Sequence, residues 1–133
     1  MGYSVNSLDA LGEGYGFRKV RKELGVSAFG VNALVFPPGY DGPAHYHDLQ
    51  DELYFVHRGT ATFLIDDTEH VVETGGLVHV ESTTPRQVSN RGSEDLVLLV
   101  VGGKDGYVER DGQLVDPERD LARRQALAKG ELT

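Results

Sequence analysis

Valine-rich apolar runs fill the middle of the chain and are broken by glycine roughly every 10–15 residues. That pattern predicts short strands joined by turns, an all-β barrel or sandwich. Ala28–Phe36 reads as the first long strand, ended by Pro37-Pro38-Gly39 because proline cannot donate to a ladder. Ala44–His47 and Glu52–His57 follow. Thr60–Ile65 and Glu69–Glu73 form a hairpin across the acidic turn Asp66-Asp67-Thr68. Gly75-Gly76 leads into Leu77–Glu81, Ser82–Pro85 turns the chain into Arg86–Asn90, and Asp95–Val101 is the last long strand, closed by Gly102-Gly103.

The ends differ from this middle. Residues 1–27 read as an N-terminal arm with room for a short strand, in which Arg18–Leu24 is either a helical turn capped by Gly25 or a charged edge strand. Residues 28–115 make the barrel. Residues 116–133 carry a helix, with Asp116 as N-cap, Pro117 at its first position, Glu118 in the first turn and Lys129-Gly130 at its C-terminus. Its weak apolar face, Leu121, Ala122, Ala126, Leu127 and Ala128, is expected to lie on the barrel or on a partner subunit.

Composition narrows the chemistry. With 133 residues, 39% of them apolar, the chain is one domain. It has no cysteine, which excludes a disulfide scaffold, a thiolate nucleophile and any Cys-ligated metal. Thirteen basic against 21 acidic residues give a net charge of −8 with no basic run, a poor match to nucleic acid or an anionic membrane. No apolar stretch approaches the ~18 residues of a membrane span. The first residues lack the basic and apolar regions of a secretory signal, so a cytoplasmic location is expected.

The richest chemistry lies between Gly39 and Gly59. Residues i and i+2 of a strand share a face, so His45 and His47 present two imidazoles side by side. Four residues turn the chain, and Glu52 then opens the next strand and shares its face with Tyr54 and Val56. If that face looks inward, two imidazoles and a carboxylate meet, a donor set that suits Fe, Mn, Ni or Zn as a divalent ion and leaves positions open. His57, His70 and the Asp66, Asp67, Glu69 cluster read as solvated, and His79 as outward-facing. Tyr40 and Tyr46 read as loop aromatics at the mouth.

This stretch resembles the first motif of the cupin superfamily: Gly39, five residues, His45-x-His47, four residues, Glu52, six residues, Gly59. The second motif follows from Gly75, after the short spacing of compact microbial cupins. There only Gly75 and Asn90 keep the residue type. Glu81, Thr83 and Arg86 stand where the pattern has proline, glycine and histidine. The resemblance implies a small jelly-roll β-barrel holding a divalent metal and a small ligand, often as a dimer. It does not imply one reaction.

Arg86 occupies the position of the family's fourth metal ligand, and a guanidinium has no lone pair to offer. Three outcomes are open. Arg86 can anchor an anionic substrate beside a three-ligand metal, it can pair with Glu52 in place of the metal, or it can turn outward. Tyr54, on the face of Glu52, is the other candidate for contacting substrate. Two functions follow: a metal-dependent oxidoreductase or isomerase acting on a small anionic molecule, or a non-catalytic, metal-free binder of such a molecule. A homodimer is expected from the apolar run Leu96–Val101, whose edges and faces need cover.

Overall fold

The computed structural model describes residues 2–128. The expected all-β jelly roll is present as two antiparallel five-stranded sheets. Its strands in chain order are β1 (Gly16–Arg18), β2 (Gly30–Phe36), β3 (His45–His47), β4 (Asp51–Arg58), β5 (Ala61–Ile65), β6 (Thr68–Val72), β7 (Leu77–Val80), β8 (Arg86–Ser89), β9 (Leu96–Gly103) and β10 (Gly112–Leu114). One sheet runs β1-β2-β9-β4-β7 and the other β10-β3-β8-β5-β6, so the barrel is a sandwich of two sheets rather than one continuous ladder.

Alternation builds the interior. Tyr54 and Val56 of β4, Val80 of β7, Leu96 and Leu98 of β9 and Phe36 of β2 meet Ala61 and Phe63 of β5 and Val88 of β8 in one buried cluster. Glu52 lies on the same inward face as Tyr54 and Val56, and this places a carboxylate at the edge of the core.

The apolar run expected to leave open edges does not. β9 lies between β2 and β4 and is paired on both sides, so it presents no free edge. Nor is it the last strand. β10 follows it and pairs with β3, Gly112 opposite His47 and Leu114 opposite His45.

Of the two readings of Arg18–Leu24, the helical turn holds and the edge strand reaches only Arg18. Arg18 ends edge strand β1, which pairs with β2, and α1 (Val20–Leu24) is a helical turn closed by Gly25 in the left-handed region at φ 71°. Val20 joins Val31 and Ala33 in a second buried cluster on the other face of the β2 sheet.

Two retained motif residues have structural roles. Gly59 takes φ 81°, and a Cβ there would meet the Asp95 carbonyl oxygen at 2.6 Å. Asn90 is fully buried, donates to the carbonyls of Phe36 (3.0 Å) and Glu94 (2.8 Å), and accepts from the Gly92 N–H (3.0 Å). It ties the loop before β9 to the end of β2.

The tail forms α2 (Pro117–Ala128), with the Asp116 carboxylate accepting from the Arg119 N–H at 3.1 Å as an N-cap does. Of the described side chains on the expected apolar face, only Ala126 is buried. Leu121 and Ala122 are exposed, whereas Asp120, Arg123 and Ala126 are buried, three residues apart on one side. The polar pair is accommodated because Arg123 donates to Asp120 (3.4 Å). Lys129-Gly130 lies outside the described residues. No helix among them is long and apolar enough to cross a membrane.

Candidate metal centre

β3 and β4 belong to different sheets, and the turn at 48–50 brings their ends together. His45, His47 and Glu52 offer ligand atoms that all lie within 4.8 Å of one another. Glu52 Oε1 is 3.1 Å from His47 Nε2 and 3.8 Å from His45 Nε2. The two imidazole rings are 5.1 Å apart, nearly perpendicular.

The far side of each ring fixes its proton. His45 Nδ1 is 3.1 Å from the Pro43 carbonyl oxygen, which can only accept, so Nδ1 carries the hydrogen. His47 Nδ1 is 2.8 Å from Asp111 Oδ1, an ionised carboxylate, and is likewise the donor. In neutral rings this leaves the Nε2 lone pairs turned towards Glu52. His47 Nε2 is buried and has no hydrogen-bond partner, although an acceptor oxygen lies 3.1 Å away. Two acceptors at that distance need a proton or a metal cation between them, and two imidazole nitrogens with one carboxylate are a suitable donor set for a divalent transition ion. The residues therefore fit a metal.

Glu52 is held as an anion. Burial alone would raise its pKa, but in the metal-free chain protons on the Nε2 atoms of His45 and His47, the charge such a proton gives His47, and a 2.7 Å bond donated by the Tyr54 hydroxyl pull it well below the usual carboxylate range. Burial and the neighbouring carboxylate push the Tyr54 phenol upward, so it stays protonated and able to donate. For His47, burial opposes the charged form, but Glu52 and Asp111 outweigh it and raise the pKa.

Arg86 does not turn outward. Its guanidinium is buried in the sandwich, and its Cα is the register partner of His45. Nη2 donates to the Glu81 carbonyl at 2.9 Å, while Nε and Nη1 have no partner. Nη1 is 3.9 Å from Glu52 Oε1, the outer limit of an ion pair, with no hydrogen bond between them.

Tyr54 is also buried, packed edge-on against Phe63 at 5.2 Å and bonded to Glu52. Tyr40 is not at the mouth but in the core, edge-on to Phe36. His57, His70 and His79 are exposed, and Gln87 turns away to donate to the Gly42 carbonyl.

Sequence reasoning missed Asp111. Its Oδ1 accepts from His47 and from the Gln50 side chain (2.6 Å), and its Oδ2 from the N–H groups of Leu49 (2.7 Å) and Gln50 (3.0 Å). Burial would raise the carboxyl, but these bonds, led by those from Gln50, hold it well below its ordinary value. No local spacing points to it, because β10 delivers it from 64 residues away.

The family model of the cupin domain matches residues 33–102, more than half of the chain. Among solved structures, a cupin protein from Bacteroides fragilis superposes with a TM-score of 0.68 at 19% identity, over 83% of this chain and 91% of that one. A sugar phosphate isomerase of the cupin superfamily from Silicibacter pomeroyi superposes at 0.63 with 30% identity, over 77% of this chain and 68% of that one. A DMSP lyase from Ruegeria pomeroyi superposes at 0.61 with 25% identity, over 69% of this chain and only 45% of the lyase. No curated protein matches the chain significantly in sequence.

Proposed function

The chain belongs to the cupin family, and we propose that it is a metal-dependent enzyme of the isomerase or oxidoreductase type acting on a small anionic organic molecule. His45, His47 and Glu52 hold a divalent metal, and Arg86 receives the substrate's anionic group. The observation that carries this reading is the buried, unpartnered His47 Nε2 facing Glu52, beside a buried guanidinium with two unpartnered nitrogens.

A bound divalent ion would supply Lewis-acid or redox chemistry at the open positions of a three-ligand site. The chain's own residues do the rest. The Pro43 and Asp111 acceptors hold the two imidazoles in the ligating tautomer, and Tyr54 fixes one oxygen of Glu52. Arg86 Nε and Nη1 are free to bind a carboxylate or phosphate oxygen and to orient the molecule that carries it. The neighbour from Silicibacter is named for a sugar phosphate, an anion of the kind a guanidinium recognises. In this reading Tyr54 acts through Glu52.

One observation favours a second reading, a metal-free binder. A proton on His47, with Arg86 beside Glu52, would satisfy the same atoms. Elemental analysis separates the two. The protein is expected to carry near-stoichiometric transition metal after purification, to lose it on chelation, and to lose it in the double variant His45→Ala, His47→Ala while remaining folded by circular dichroism. A purified protein without metal that also fails to take up added Co²⁺, or a double variant with unchanged metal content, would overturn the assignment.

A further inference from the structure

We propose that Asp111 is the positioning residue of this centre: it fixes the His47 ring with Nε2 towards Glu52 and ties down the turn that joins the two halves of the ligand set. The proposal rests on the metal reading for its effect on affinity but not for its geometry.

His47 ends β3 and Glu52 is the second residue of β4, so the relative placement of imidazole and carboxylate is set by residues 48–50. That turn has no internal ladder. The Gln113 amide donates to the Asp48 carboxylate at 2.9 Å, and the remaining bonds to the turn come from Asp111. Asp111 Oδ2 takes the N–H groups of Leu49 and Gln50, Oδ1 takes the Gln50 amide and the His47 ring, and the Asp111 carbonyl takes the Asp48 N–H at 3.2 Å. Every residue from 47 to 50 is thus bonded to Asp111. The next residue, Gly112, is the Cα partner of His47, and a Cβ there would stand 3.4 Å from His47 Cε1.

A carboxylate behind a histidine ligand raises its basicity and selects its tautomer, and loss of such a partner typically lowers metal affinity about 10–100-fold. Here the same group also organises the backbone between ligands, so the ring and the turn depend on it together. Asparagine at this position keeps one acceptor oxygen but not two, and cannot serve His47, Gln50 and both N–H groups at once.

The test uses the full chain and Co²⁺ alone, titrated against its visible absorption. Asp111→Ala is expected to weaken Co²⁺ binding by about 10–100-fold and to alter the band pattern, with Asp111→Asn intermediate. Val115→Ala, whose side chain is exposed just beyond the same strand, is expected to leave both unchanged. Long-range ¹H–¹⁵N correlation on the metal-free wild type is expected to place the proton of the neutral His47 ring on Nδ1, and in Asp111→Asn to show that preference weakened. Equal affinity in Asp111→Ala and wild type overturns the proposal, as does an equal loss in Val115→Ala, which would trace the effect to a loosened strand. If Asp111→Ala does not fold, the Asn variant and the tautomer decide. If wild type binds no Co²⁺, the metal reading fails, and the tautomer alone upholds or overturns the role of Asp111.

Discussion

Arg86 is the residue at which this chain departs from the metal-ligand pattern of its family. A buried guanidinium normally has its donors satisfied, and here only Nη2 is. Nη1 stands 3.9 Å from Glu52 without bonding it, so the carboxylate is not committed to the arginine. Arg86→Gln removes the charge and the fork but keeps an amide. A hydrogen bond to a charged group contributes about 1.5–3 kcal/mol, so binding of a small carboxylate probe such as malonate to the Co²⁺-loaded protein should weaken about 10- to 100-fold. Co²⁺ affinity should hold or rise, because a positive charge beside the ion is gone. Calorimetric titration of both ligands measures this, and unchanged malonate affinity would remove Arg86 from the anchor role. The contrast with Asp111 shows what a sequence discloses at this scale. His45, His47 and Glu52 are legible because strand alternation and one short turn place them. Arg86 is legible as a substitution in a motif, but not its burial. Asp111 is invisible, because only the pairing of β10 with β3 brings it to the ring.

At the scale of elements, the bounds of the strands from β2 to β9 follow the apolar runs and the glycine breaks between them, and the departures have physical causes. β10, Gly112-Gln113-Leu114, is too short and too exposed to show alternation. α2 buries a salt-bridged pair where its sequence offers leucine, since Asp120 and Arg123 satisfy each other and leave Leu121 to solvent. The motif glycines are equivalent in sequence but not in space. Gly59 and Gly75 both have positive φ, 81° and 89°. Nothing lies within 4 Å of the point where a Cβ would stand on Gly75, whereas at Gly59 the Asp95 backbone oxygen lies 2.6 Å from that point. Gly75→Ala therefore incurs only the backbone term, roughly 1 kcal/mol. Gly59→Ala adds a clash with backbone that cannot rotate away, and should cost roughly 2–4 kcal/mol. Urea unfolding of the two variants measures the difference; equal losses would show that the β4–β5 turn yields where the packing around Gly59 says it should not.

For the whole molecule, the separation between core and centre decides how metal and stability are linked. The main core includes Phe36, Val56, Phe63, Val80, Val88, Leu96 and Leu98, while the ligands sit at its edge, with Glu52 bonded to the core residue Tyr54. The fold should therefore stand without metal, unlike a zinc finger, and metal should add to it by mass action. At free Co²⁺ about 100 times Kd, binding only the native state contributes about 2.7 kcal/mol. For a domain of this size that corresponds to a rise in Tm of roughly 10 °C. A chain with net charge −8 also attracts cations to its surface, so the control matters. His45→Ala, His47→Ala keeps every exposed carboxylate and the exposed His57, His70 and His79, and should melt near the metal-free wild type whether or not Co²⁺ is present. If scanning calorimetry finds the same rise in the double variant, the stabilisation comes from diffuse surface binding and the three-residue centre is not where the ion sits. If wild type unfolds on chelation, the ligands are part of the core rather than its edge.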